Sequence, residues 1–170
     1  MMKILSNSIN AQGHFEDKFG KHGEDFTKGM PSRSIDFEIE GAPEGTKTFA
    51  FVLDDHDAMP VCGFTWVHWA GANLKRTKVA ENESITATDF LQGINSWGAA
   101  MMGENALSRE EAAAYGGMAP PNCTHTYELR VYALDCELNL EENFFVNDLY
   151  SAMRGHILEQ AHLTGLYRHE

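Results

Sequence analysis

Five consecutive apolar residues, Phe49-Ala50-Phe51-Val52-Leu53, limit the folds open to this chain more than any other feature. Successive side chains of a strand point to opposite faces, so a strand apolar at every position must be covered on both sides. Two other segments alternate as half-buried strands do. Ile35, Phe37 and Ile39 form one apolar set, and Tyr127, Leu129 and Val131 form the other. A fourth strand is expected between Gly63 and Trp69, which is rich in aromatic and β-branched residues. Gly41-Ala42-Pro43-Glu44-Gly45 is a strong turn signal and predicts an antiparallel connection between the first alternating strand and the apolar run.

Helical signals are fewer. Ser108-Arg109-Glu110-Glu111 is a capping box followed by three alanines, which predicts a short helix to about Tyr115, stopped by Gly116-Gly117. Asn147 is placed to cap a longer C-terminal helix carrying Leu149, Met153, His156, Ile157 and Gln160/Ala161 on one face, closed by Thr164-Gly165. His156 then reads as a core residue. The expected fold class is mostly β: an antiparallel β-sandwich with a short inserted helix and a C-terminal helix, not a βαβ fold. With 43% apolar residues, 22% charged residues and no internal repeat, residues 1–170 read as one globular domain.

Charge narrows the partners. Twenty-five acidic residues against thirteen basic ones give a net charge of −12, with no local Lys/Arg cluster. Such a surface disfavours nucleic acid and stable membrane association, although screening over ~8–10 Å leaves room for a single anionic group in a local pocket. No run reaches the ~18–20 apolar residues of a membrane span. The segment Met1 to Asn7 turns polar after two aliphatic residues and lacks a signal-peptide core, so a cytoplasmic location is expected. Cys62, Cys123 and Cys136 are odd in number and lack C-x-x-C spacing, which favours reduced, partly buried thiols over disulfides or a zinc ribbon. Glu159, His162 and His169 lack metal-ligand periodicity, and Asn95-Ser96-Trp97-Gly98 is not a nucleophile elbow. Neither a P-loop nor a G-x-G-x-x-G occurs, and no cofactor or metal is expected.

Three stretches carry chemistry. In Leu53-Asp54-Asp55-His56-Asp57-Ala58-Met59-Pro60 an apolar strand runs directly into three carboxylates and an imidazole. These acids either cap the turn through backbone amides or gather around a site. In Trp66-Val67-His68-Trp69, strand alternation puts Trp66 and His68 on one face and Val67 and Trp69 on the other. The third stretch runs from Gly116-Gly117 through Pro120-Pro121 to His125-Thr126-Tyr127. Glycine permits close backbone approach, paired prolines fix an extended loop, and His125 and Tyr127 share one strand face beyond it.

Taken in order, these stretches resemble the phosphatidylethanolamine-binding protein family, in its bacterial, Raf-kinase-inhibitor-like branch. The family's D-P-D-A-P motif corresponds to Asp55-His56-Asp57-Ala58-Met59, its histidine in an aromatic strand to His68, and its G-x-P-P loop and H-R-Y to Gly117 through Pro121 and His125-Thr126-Tyr127. The similarity runs from about Pro31 to Tyr167. His56 and Met59 replace the family's prolines, Thr126 replaces its arginine, and residues 98–115 read as an insertion.

The resemblance implies a β-sandwich whose small cavity accepts a small anion or phosphoryl head group. It maps ligand binding to Asp55, Asp57, His68, Gly117, Pro120, Pro121, His125 and Tyr127. Asp55 would keep His68 or His125 protonated, and the imidazolium would donate to the anion. No activated nucleophile is evident, so a binding protein is expected rather than an enzyme. A regulated protein partner and a homodimer both accord with the resemblance. The alternative is a metal-assisted or acid–base hydrolase built on the same Asp and His residues.

Overall fold

A computed structural model describes residues 1–170. Ten strands and three short α-helices follow in chain order. The strands are β1 (Lys3–Leu5), β2 (Phe26–Thr27), β3 (Met30–Pro31), β4 (Phe37–Glu40), β5 (Thr48–Asp55), β6 (Trp66–Leu74), β7 (Lys78–Val79), β8 (Leu91–Gly93), β9 (His125–Leu134) and β10 (Ile157–Tyr167). The helices are α1 (Met59–Cys62), α2 (Arg109–Ala112) and α3 (Val146–Met153). An antiparallel sheet of order β10-β9-β5-β6-β8 is the main layer, faced by a three-stranded sheet of order β1-β4-β7. The fold is mostly β and antiparallel, as expected.

The apolar run lies in β5, the central strand, and every β5 residue is buried. Phe49, Phe51 and Leu53 enter the larger core between the two sheets. Ala50 and Val52 enter a second core beneath α3, with Leu149 and Met153. Edge-to-face stacking fixes the first core: the Phe51 ring centroid lies 4.8 Å from Trp69 and 5.1 Å from Phe37.

Several expectations are corrected. The Gly41–Gly45 turn does not close a hairpin, because β4 and β5 lie in different sheets. Turn chemistry reverses the chain without dictating which strand it joins next. The C-terminal helix stops at Met153, where Arg154 turns extended and Gly155 takes φ +84°. Residues 157–167 are instead an eleven-residue strand along β9. Asn147 is not its cap: it sits inside α3, and the Asp148 carboxylate accepts the Phe145 amide at 3.3 Å. His156 is an exposed residue of the turn before β10, paired with Asp135 at 2.8 Å. The Ser108 capping box is present, but α2 ends at Ala112. All three cysteines are unpaired, and Cys123 is exposed rather than buried.

No helix is long and apolar enough to cross a membrane.

Candidate functional site

The site lies at the end of the central sheet where β5 finishes and β9 begins. Asp55 is the last residue of β5 and pairs in register with Tyr127 of β9 and Trp66 of β6. His125, Tyr127 and Asp55 therefore share the face of the larger core. His68 reaches that face through a β-bulge. Asp54 opposes Val67 and Leu53 opposes Trp69, which leaves His68 as the extra residue. The expected alternation fails here, since the bulge turns Trp69 into the same core as Phe51 and Tyr115. Ser96 takes up the amide that the bulge displaces, with Val67 N–H donating to its Oγ at 2.8 Å.

These side chains surround a cavity of about 250 Å³. Its polar lining is Asp55, His68, His125 and Tyr127; Trp66, Trp97, Val61, Met102 and Pro121 supply much of the apolar wall. Asp55 and His125 form a buried pair, with Oδ2 2.7 Å from Nδ1. The other Asp55 oxygen accepts the Ala58 amide at 3.2 Å, and His125 Nε2 lies 2.8 Å from Asn122 Oδ1. Both nitrogens of His125 thus face oxygen atoms.

His68 is held differently. Its Nδ1–H donates to the Gly116 carbonyl at 2.6 Å, and its own carbonyl accepts the Gly116 amide at 2.7 Å. Burial pushes its pKa down to about 4, against smaller opposing effects of the Gly116 carbonyl and Asp55. At neutral pH the ring is uncharged, with the proton on Nδ1 and a lone pair on Nε2. Of the two rings that the resemblance allowed as the imidazolium, His68 or His125, burial disfavours the charge at His68.

Three polar atoms here are buried without a hydrogen-bond partner: His68 Nε2, Tyr127 Oη and Trp66 Nε1. All three residues line the cavity. Burial also raises the Tyr127 pKa, keeping its hydroxyl protonated. The pocket offers one acceptor at His68, one donor at Trp66, and a hydroxyl that can do either.

Of the other expected residues, only Pro121 reaches the cavity wall. Asp57 is exposed, and its carboxylate accepts the Thr126 amide at 2.8 Å, tying the turn after β5 to the start of β9. Gly117 is buried behind the rim, where a Cβ would come within 2.5 Å of the Phe19 carbonyl oxygen. Pro121 reaches the wall, but Pro120 does not; its carbonyl accepts the Lys21 ammonium at 2.7 Å.

Trp97, Met102 and Asn122 escaped the sequence reading. The first two enter from the neighbourhood of the 98–115 insertion, whose one motif, the Ser108 capping box, marks a helix start and not a site. The close approach of Trp97 is what requires glycine at 116, since a Cβ there would meet its indole at 2.6 Å.

Comparison with known proteins places the chain among relatives of the same fold. YxkA of Bacillus subtilis is 38% identical over 165 residues, covering 94% of this chain and 97% of that protein. A UPF0098 protein of Methanothermobacter thermautotrophicus is 30% identical over 172 residues, covering 98% and 99%. Among solved structures, CT736 of Chlamydia trachomatis, described as a putative phosphatidylethanolamine-binding protein homologue, superposes with a TM-score of 0.79 at 25% identity. That match covers 99% of this chain and 98% of that one. E. coli YbcL, described as a member of the mammalian PEBP family, shares the fold with a TM-score of 0.77 at 23% identity, over 98% of both chains. The family model described as phosphatidylethanolamine-binding protein matches residues 5–168, and across that span, nearly its whole length, the chain belongs to the phosphatidylethanolamine-binding protein family.

Proposed function

We propose that the pocket binds a compact phosphoryl head group that brings its own proton donor. The observation that carries this reading is the set of three unpartnered polar atoms on one small cavity. Leaving a buried polar atom unpaired costs about 1–3 kcal/mol, so three together favour a ligand that completes them. Two phosphoryl oxygens accept from Trp66 Nε1–H and the Tyr127 hydroxyl. A P–OH, or the ammonium of phosphoethanolamine, donates to His68 Nε2. The family's name points to a head group of this kind, and a phosphorylated side chain of a protein partner presents the same chemistry.

Energetics decide against a preformed imidazolium at His68. With its pKa at about 4, charging that ring at pH 7 costs about 4 kcal/mol. A proton that arrives on the ligand avoids this cost. His125 is no alternative donor to the ligand, because Asp55 and Asn122 occupy both its nitrogens. No hydroxyl or thiol bonds to either ring, and the Cys62 thiol donates to the backbone carbonyls of Ala58 and Phe64, so this reading includes no nucleophile.

Calorimetry with inorganic phosphate and with phosphoethanolamine, between pH 5.5 and 8.5, tests the proposal. Inorganic phosphate keeps one P–OH as its dianion and should bind across this range. A phosphate monoester loses its last P–OH near pH 6 and should weaken about tenfold per unit above it unless it carries another donor. Phosphoethanolamine should hold its affinity further if its ammonium is the donor. Inorganic phosphate binding that survives both His68→Ala and Tyr127→Phe unchanged would overturn the reading.

A further inference from the structure

At the far end of β9 lies a second cluster that the pocket does not use. Asp135 and Cys136 directly follow β9, and His156 directly precedes β10. One carboxylate oxygen, the Cys136 sulfur and one His156 ring nitrogen all lie within 4.8 Å of one another. No other group of three His, Cys, Asp or Glu side chains in the molecule comes together in this way.

We propose that Asp135, Cys136 and His156 form a surface site for a thiophilic divalent cation, with Zn²⁺ the best match to the donor set. Mixed sulfur, nitrogen and carboxylate donors suit Zn²⁺ and disfavour Mg²⁺ or Ca²⁺, which take oxygen ligands. The backbone already holds the donors in place. Asp135 N–H donates to the His156 carbonyl at 3.1 Å, and Thr48 Oγ donates to the Cys136 carbonyl at 2.6 Å. His156 Nδ1 lies 2.8 Å from Asp135 Oδ1. Donors around tetrahedral zinc stand roughly 3.5 Å apart, so closing the site takes about 1 Å of side-chain rotation.

Asp135 and His156 are each 46% exposed in their side chains, which gives an ion an entry path and leaves the fourth position to water. A nucleophilic cysteine fits less well. The His156 Nδ1 is engaged by Asp135 Oδ1 at 2.8 Å and makes no hydrogen bond to the Cys136 thiol. When a dication binds, the thiol loses its proton to solvent as the sulfur–metal bond forms. Lys47 is the one nearby cation acting on Cys136, and it opposes the ion. A bound ion would fasten the end of β9 to the start of β10.

The test is calorimetric titration of the full chain with Zn²⁺ in thiol-free buffer, repeated with Co²⁺ for spectroscopy. Saturable one-to-one binding with proton release is expected, along with a thiolate-to-cobalt charge-transfer band. Cys136→Ser and His156→Ala should each weaken binding by about tenfold or more. Cys123→Ser and His162→Ala should leave it unchanged. A zinc-dependent rise in melting temperature, lost in Cys136→Ser, is a second readout. Absence of saturable binding, or binding that survives both ligand substitutions, would overturn the proposal.

Discussion

Asp54 and Asp55 are neighbours on one strand, yet the sheet sends them to opposite faces with opposite fates. On the α3 face, Asp54 meets the Arg130 guanidinium and lies 3.2 Å from His56 Nε2. Burial pushes its pKa up, while Arg130 and then His56 pull against that. Asp54 Oδ1 and Arg130 Nε lack hydrogen bonds, but they belong to a charge pair that neutralises itself, and neither residue lines the cavity. On the other face, Asp55 is completed by His125 and the Ala58 amide, while the atoms left open belong to His68, Tyr127 and Trp66. A closed ion pair can serve stability alone. Open donors and acceptors on a cavity cost stability and gain a partner only when a ligand enters.

If that contrast holds, the largest loss of stability should come from the Asp54 face. Arg130→Ala strands a nearly buried carboxylate, and breaking such a pair costs about 3–5 kcal/mol. Arg130 keeps a 24% exposed side chain, so about 3 kcal/mol is expected by urea denaturation, with phosphate binding at the pocket unaltered. A loss below about 1 kcal/mol would erase the distinction between the faces.

Acid should reveal the pocket face next. His68 is depressed from 6.5 to about 4, so between those pH values the unfolded chain binds more protons than the folded one. The His68 contribution is therefore complete above pH 6.5 and is lost as pH falls toward 4. It amounts to about 3 kcal/mol over that window. Denaturant midpoints at several pH values should show a shallower acid slope in His68→Gln than in the parent protein; matching slopes would mean that His68 is not the group responsible.

Tyr127→Phe sharpens the comparison in the other direction. Removing an unpartnered buried hydroxyl should leave stability unchanged or raise it by up to about 1 kcal/mol. The same change should weaken phosphate binding about tenfold, the worth of one hydrogen bond to a charged group. Thermal unfolding and calorimetry on one sample measure both. The smallest effect belongs to His56→Ala, which removes a half-exposed partner of Asp54 and should cost less than about 0.5 kcal/mol.

Much of this contrast could be read from the chain, and the failures have physical causes. The buried sets Ile35/Phe37/Ile39 and Tyr127/Leu129/Val131 were visible because period-two alternation is local. The segment 157–167 misled because Leu149, Met153 and Ile157 are spaced four apart, a helical spacing that continued across Gly155. That glycine, followed by alternation through Ala161, Leu163, Gly165 and Tyr167, was the signal for a strand. The side-chain direction at His68 could not be read, because a bulge is set by the register of β5 and by Ser96, 28 residues along the chain. Burial of His68, which decides its charge, comes from packing with Trp97 and Tyr127 rather than from its sequence neighbours. Asn122 sat within the Pro-Pro loop, but only the fold shows it closing the second nitrogen of His125.

The most direct measurement is nitrogen-15 NMR of the His68 ring at pH 7, first without ligand and then through a titration with inorganic phosphate. The account predicts a neutral ring in the free protein, protonated at Nδ1 with a lone pair at Nε2. Saturable addition of phosphate should then shift Nε2 strongly as it accepts a proton donor, with less shift at Nδ1. A His68 ring already doubly protonated in the free protein, or an Nε2 signal that ignores saturating phosphate, would contradict it.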